Sequence, residues 1–100
     1  MSPVYFLPAA AAELQAAQDW YDDRIEGLGD RFFAAVDAIL PRIGDAPRQF
    51  PVTHDNLRRA MVKSFPYALY FRLEADGVYI LACAHTSRAP LYWRERRDPA

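Results

Sequence analysis

Hydrophobic residues follow a helical period in the first half of this chain and a period of two in the second half. Within residues 9–25 and again within residues 32–43, apolar positions recur every three or four residues, as on one face of a helix. After residue 56, apolar residues alternate with polar ones or run together, as they do in strands. The pattern therefore predicts two helices followed by a group of strands.

Proline and glycine mark the borders of the predicted helices. Residues 4–7 form a short β-favouring run, and Pro8 ends this run and begins the first helix, where a residue without an N–H is tolerated. Gly27 and Gly29 separate the two helices, which predicts an antiparallel helical hairpin. Pro41 is expected to interrupt and kink the second helix because it removes a backbone hydrogen bond.

Residues 57–64, 67–74 and 78–85 predict three strands joined by turns, and residues 46–56 are expected to form the only long loop. The order β-α-α-β-β-β predicts an α+β fold in which the helical hairpin packs on one face of a small antiparallel sheet, with residues 1–100 as one domain. The other face is expected to stay open and to carry Tyr and Arg side chains. The predicted core between hairpin and sheet consists of Phe32, Val36, Ile39, Leu69, Phe71 and Ile80.

Composition and charge narrow the class of protein. Apolar residues make up 52% and charged residues 25%, which excludes a disordered chain, and no apolar run is long enough to span a membrane. The single Cys83 and an N-terminus without a basic region before its apolar stretch favour a cytoplasmic protein. The net charge of −1 hides an acidic half, residues 1–56, and a basic half, residues 57–100. The basic half predicts an anionic partner, either nucleic acid or an acidic protein, unless the two halves neutralise each other.

The common catalytic and metal-binding patterns are missing from the sequence. His54, Cys83 and His85 are the soft metal ligands, and no second pair completes a four-ligand site, so neither a metal nor another cofactor is expected. Neither a hydrolase nucleophile elbow nor a glycine-rich phosphate loop is present. His85 follows an apolar strand, where it fits a hydrogen-bonded strand-end residue as well as an acid or base.

Two segments, residues 57–67 and 85–94, combine cations with aromatic residues, which suits contact with nucleic acid or another anionic surface. They are expected to bring one set of side chains into one region of the sheet: Arg58 or Arg59, Lys63, Arg88, Tyr92 and Trp93. Trp93 also fits simple packing against the sheet. Arg94, Arg96 and Arg97 are expected to form a solvated terminus.

Several short motifs occur in a characteristic order. They are Trp20-Tyr21 with Gly27-Leu28-Gly29-Asp30-Arg31-Phe32, then Arg58-Arg59 before Phe65-Pro66-Tyr67, and finally His85, Arg88, Pro90 and Trp93 in the pattern H-x-x-R-x-P-x-x-W. Over about residues 4–96 this set resembles the toxins of the RelE/ParE superfamily, which belong to bacterial type II toxin–antitoxin modules, some of them plasmid-stabilising. The resemblance implies a helical hairpin on an antiparallel sheet, in agreement with the element order.

Two activities occur in this superfamily. RelE-like members are ribosome-dependent endoribonucleases that cut messenger RNA, whereas ParE-like members inhibit DNA gyrase. When the nuclease pattern is aligned on Pro66-Tyr67, three of its cationic positions fall at Met61, Ala68 and near Thr86. The nuclease would then rely on Arg59, Lys63, Arg88 and Tyr92. Because RNA cleavage needs a base, an acid and cations, these losses favour a ParE-like gyrase inhibitor, which is not an enzyme.

For a gyrase inhibitor, the expected target-binding residues are Arg58, Arg59, Arg88, Tyr92 and Trp93. The resemblance also implies a cognate antitoxin, through which alone the toxin would reach operator DNA. A helix of the antitoxin could lie in the groove of the hairpin, or a strand could extend the sheet. A third hypothesis is a toxin-derived scaffold that binds its partner without being toxic.

Overall fold

The computed structural model describes residues 1–87, 92, 93 and 96, and it confirms the α+β class. Its elements are β1 (Val4–Phe6), α1 (Pro8–Arg24), α2 (Leu28–Asp45), a 3-10 turn (Pro47–Gln49), β2 (Val52–His54), β3 (Leu57–Met61), β4 (Tyr67–Glu74) and β5 (Gly77–His85). The sheet order is β1-β5-β4-β3-β2. Because β1 pairs with β5 in parallel and the other pairs are antiparallel, the sheet is mixed rather than wholly antiparallel.

Helix α2 continues through Pro41, so the expected interruption there is wrong. Pro41 is exposed, while Ile39 and Ile43 on either side of it point into the core. A missing N–H on the solvent side of a helix removes one backbone bond, and the burial of neighbouring side chains outweighs that loss. Packing against the sheet therefore decides the length of this helix.

Strand β2 lies in the segment that was expected to be a loop. Val52 and His54 pair with Arg58 and Leu57, across a tight turn in which Asp55 takes a φ of 52°. An aspartate tolerates this left-handed conformation better than most residues do. The strand has three residues and follows a proline, so no alternation could reveal it.

The first core lies between the helical hairpin and one face of the sheet. All six predicted core residues are buried in it, each at 5% exposure or less. Tyr21, Phe32, Phe65 and Tyr67 form an aromatic cluster at one end of this core, with ring centroids 5.0–6.1 Å apart. The prediction of which helical and strand faces meet is confirmed.

A β-bulge turns additional apolar side chains to the second face of the sheet. Tyr70 pairs with Ala82 but Phe71 pairs with Ile80, so β5 contains one extra residue, Leu81. A second core forms there from Leu7, Leu57, Leu81, Ala82, Ala84 and Trp93. The expectation of an open second face is therefore wrong, because Trp93 covers part of it and is only 2% exposed.

The two helices are in close contact at Gly29, which leads to a first prediction. Its N–H donates to the carboxylate of Asp22 at 2.7 Å, and a Cβ at this position would overlap the Gln18 carbonyl oxygen. Alanine favours helices over glycine by about 1 kcal/mol. We nevertheless expect Gly29→Ala to lower the free energy of unfolding by about 1–3 kcal/mol, because overpacking costs more than propensity gains. A higher denaturant midpoint for Gly29→Ala would contradict this contact.

Candidate functional site

Two grooves lie beside the turn between β3 and β4, and each has a different helix as its other wall. The α1 groove has a volume of about 570 Å³ and includes Glu13, Trp20, Tyr67, His85 and Tyr92 in its lining. The α2 groove has a volume of about 730 Å³. Its lining consists of Leu28, Arg31, Ala34, Ala35, Ala38, Ile39, Arg42, Lys63, Ser64 and Phe65.

The carboxylate of Glu13 organises one side of the α1 groove. Its Oε1 accepts hydrogen bonds from the Cys83 backbone N–H at 3.1 Å and from Arg96 Nη1 at 2.9 Å. Its Oε2 accepts from the Tyr92 hydroxyl at 2.5 Å and from Arg96 Nη2 at 3.2 Å. The two-pronged contact with Arg96 is the strong form of a carboxylate–guanidinium pair. Glu13 therefore joins α1, β5 and the chain that follows β5.

His85 is oriented by its own backbone and by an aromatic neighbour. Its Nδ1 accepts the Ser87 backbone N–H at 3.1 Å and lies 2.7 Å from the Ser87 hydroxyl. The ring meets Tyr67 edge to face, with centroids 5.2 Å apart. Since Nδ1 accepts from an amide, the proton of the neutral ring is assigned to Nε2. His85 is thus arranged as a hydrogen-bond donor at Nε2 rather than as a base there.

Cys83 also lines the α1 groove, but its thiol is a poor nucleophile. Burial raises the pKa of its thiol to about 12, and the nearby carboxylate of Glu13 adds to this rise. Nucleophilic attack needs the thiolate, and at neutral pH almost none is present when the pKa is this high. Together with the orientation of His85, this argues against nucleophilic chemistry in the groove.

The α2 groove combines apolar and cationic side chains. Three alanines and Ile39 contribute to its apolar lining, and its charged lining residues are Arg31, Arg42 and Lys63. Arg42 also lies over the ring of Phe50, with 5.4 Å from its guanidinium carbon to the ring centroid. Since all the charged side chains of this lining are cations, the groove suits a segment that is apolar on one side and acidic on the other.

The structure gives the predicted site residues different surroundings. Arg58 donates to the carbonyls of Phe50 and Arg48, at 2.7 and 3.2 Å, and so holds the 3-10 turn against β3. Arg59 is exposed and lies opposite Tyr70, which puts it on the second face of the sheet.

The remaining predicted residues lie in three different settings. Lys63 lines the α2 groove, and Tyr92, 40% exposed, lines the α1 groove. Trp93 is buried with its ring 4.2 Å from that of Tyr70, so its side chain packs the second core and is not a surface contact. Arg88 lies outside the described residues. Contacts link three of the predicted residues, because Arg59 lies opposite Tyr70, the Tyr70 ring packs on Trp93, and the Trp93 ring packs on Tyr92. Lys63 lines the α2 groove instead, so the described candidates do not share a single groove.

Sequence reasoning missed Glu13 and assigned Arg96 to a solvated terminus. The structure instead pairs Arg96 with Glu13 and with the Leu81 carbonyl oxygen, which it reaches at 2.9 Å. Arg94 and Arg97 lie outside the described residues. Glu13 and Arg96 are 83 positions apart in the chain, so no local pattern could have linked them.

In the described part of the chain, no three His, Cys, Asp or Glu side chains lie close enough together to bind a metal ion. No described helix is long and apolar enough to cross a membrane. None of the curated protein sequences matches this chain significantly.

Comparison with solved structures identifies a shared fold. One chain from a structure described as "Chromosomal ParDE TA system from P. aeruginosa" superimposes with a TM-score of 0.76 over 85% of this chain and 96% of that chain, at 19% sequence identity. The two chains therefore have the same hairpin-on-sheet fold. The family model described as "ParE toxin of type II toxin-antitoxin system, parDE" matches residues 4–90. This chain belongs to the ParE toxin family.

Proposed function

We propose that this protein is a toxin that binds and inhibits DNA gyrase and that a cognate antitoxin neutralises it. Membership of the ParE family supports the assignment of the protein as a toxin. One observation carries the choice of mechanism: the nuclease pattern aligned on Pro66-Tyr67 finds no cation at Met61, Ala68 or Thr86. Ala68 is itself fully buried and pairs with Ala84 of β5, so this position does not reach the surface.

The settings of Tyr92 and Lys63 support the same choice. The Tyr92 hydroxyl is engaged by Glu13, which is already paired with Arg96, and Lys63 lines a different groove. Phosphate-ester cleavage needs its acid, base and cations around one reacting centre. A protein–protein contact, by contrast, uses residues spread over a surface of many side chains. The arrangement therefore favours target binding over catalysis.

The mechanism is tested with purified protein. We expect it to inhibit DNA supercoiling by gyrase and to leave messenger RNA on translating ribosomes intact in a primer-extension assay. Site-specific cleavage of ribosome-bound messenger would replace the proposal with the ribonuclease. Normal bacterial growth during expression of the chain without its antitoxin would instead favour a non-toxic binding scaffold.

The α2 groove is the docking site that we propose for the antitoxin. A helix with apolar residues on one face fits the apolar lining, and acidic residues at its borders would meet Arg31, Arg42 and Lys63. Addition of a strand beside β5 is less favoured, because Arg96 and Glu13 already occupy the Leu81 carbonyl and the Cys83 N–H. The described outer edge at β2 is only three residues long.

Salt dependence tests the charge of this contact. With the product of the adjacent small gene as antitoxin, we expect Arg31→Ala combined with Lys63→Ala to weaken binding by about 10-fold and to flatten its dependence on salt. Arg24→Ala, which removes an exposed cation outside the groove, is the matched control and should change neither. Affinity that is equal at low and high salt for the unaltered toxin would contradict an acidic partner.

A further inference from the structure

Strand β1 has three residues and its partner β5 has nine, so within the described part of the chain some backbone groups of β5 have no strand beside them. The last bond of the pair runs from the Leu7 N–H to the Ile80 carbonyl at 2.9 Å. Beyond it, the Leu81 carbonyl receives Arg96 Nη1 and the Cys83 N–H donates to Glu13. Two side chains thus satisfy the edge groups that a longer β1 would have paired, as partly buried backbone groups require.

The carboxylate of Glu13 also fixes Arg96 and Tyr92, two described residues that follow β5. Glu13 and Arg96 face each other in a pair with only 21% and 24% of their side chains exposed, so water screens it less than a surface pair. Tyr92 adds its hydroxyl to Glu13 and packs edge to face on Trp93, with ring centroids 4.9 Å apart. The indole N–H of Trp93 finds no acceptor among the described residues, so its position in the second core depends on packing, as against the ring of Tyr70.

We infer that Glu13 is a positioning residue for the target-binding surface. Its carboxylate fixes Arg96 and Tyr92 against β5, and in doing so it keeps Trp93 in the second core and presents the exposed ring of Tyr92 beside the α1 groove. Helix α1 thereby determines the geometry of Tyr92, Trp93 and Arg96. This inference rests on the proposed function, because it assigns Tyr92 to the surface that meets gyrase.

The structural effect of Glu13 on Trp93 and on the Cys83 amide is measured without gyrase. In a Trp20→Phe background, Trp93 is the sole tryptophan and its fluorescence reports its burial. We expect Glu13→Gln to shift this emission to the red and to speed hydrogen exchange of the Cys83 amide by about 10-fold, since a neutral amide loses the charge-assisted pair. Glu26→Gln removes the same charge from an exposed site and should change neither signal. An unaltered Trp93 emission in Glu13→Gln would overturn the inference.

Assays of gyrase inhibition then test whether Glu13 positions the target-binding surface. Glu13→Gln and Arg96→Gln should each weaken inhibition by about 10-fold, and the double variant should be no weaker than either one, because the two act as a unit. Binding of the antitoxin should stay within about twofold, since the α2 groove lies elsewhere, whereas general loss of structure would lower it too. The positioning role would be overturned if the losses of the two single variants multiplied in the double variant. It would also be overturned if Glu13→Gln inhibited gyrase fully although its Trp93 emission was shifted to the red. If the unaltered toxin does not inhibit gyrase, the proposed function fails. The fluorescence result still decides whether Glu13 keeps Trp93 in the second core.

Discussion

Replacing Phe32 with alanine is expected to lower the free energy of unfolding by about 3–5 kcal/mol, the range for deleting a buried aromatic side chain. Phe32 has no exposed surface, and its ring lies 5.1–5.2 Å from the rings of Tyr21, Phe65 and Tyr67. Its loss would open a cavity where α1, α2 and the turn before β4 meet. Since domains of this size are stable by about 5–15 kcal/mol, the variant should be close to unfolding.

Phe33 is the matched control for this experiment. It has the same side chain in the same helix, but it is 44% exposed. Phe33→Ala should therefore shift the urea midpoint far less than Phe32→Ala. Equal shifts for the two variants would show that α2 presents a different face to the sheet.

Loss of Arg59 is expected to reduce gyrase inhibition by about 30-fold or more, the effect of removing an arginine that anchors an interface. Arg59 is exposed on the second face, with the half-exposed Met61 two residues further along the same strand. A cation next to an exposed apolar side chain is the usual composition of such an anchor. Because Arg59 is exposed, Arg59→Ala should leave the unfolding midpoint nearly unchanged.

Arg58, unlike Arg59, has a structural role. Arg58→Ala should lower the free energy of unfolding by about 1–3 kcal/mol, because it leaves the Phe50 and Arg48 carbonyls without their donor.

Tyr92→Phe distinguishes the two mechanisms. This variant should remain toxic, because Arg96 still binds Glu13 when the hydroxyl is lost. A ribonuclease that needs this hydroxyl for proton transfer would instead lose its activity. Messenger cleavage that Tyr92→Phe abolishes would therefore contradict gyrase as the target.

Local patterns were enough to predict most of the fold. The helical stripe containing Phe32, Val36 and Ile39 and the alternation in β4 each repeat over several residues, so each signals its own period and buried face. The predicted limits of β4 agree with the structure to the residue. β2 escaped prediction because three residues after a proline are too few to show a period.

The candidate site depended on long-range contacts that no local pattern encodes. Neither Glu13 nor Arg96 stands out among the charged residues of the sequence, and only the folded chain brings them to 2.9 Å. The extra residue Leu81 likewise becomes visible only from the pairing of β4 with β5.

By itself, the sequence determined the two helices, the three long strands, the first core and the superfamily, because periodicity and short motifs are properties of neighbouring residues. Only the tertiary structure decided that the second face is covered by Trp93, that Arg58 holds a turn, and that Lys63 and Tyr92 line separate grooves. The physical reason is that these outcomes follow from where one strand ends and another bulges. Such events leave backbone groups and apolar surface to be covered by residues far away in the chain.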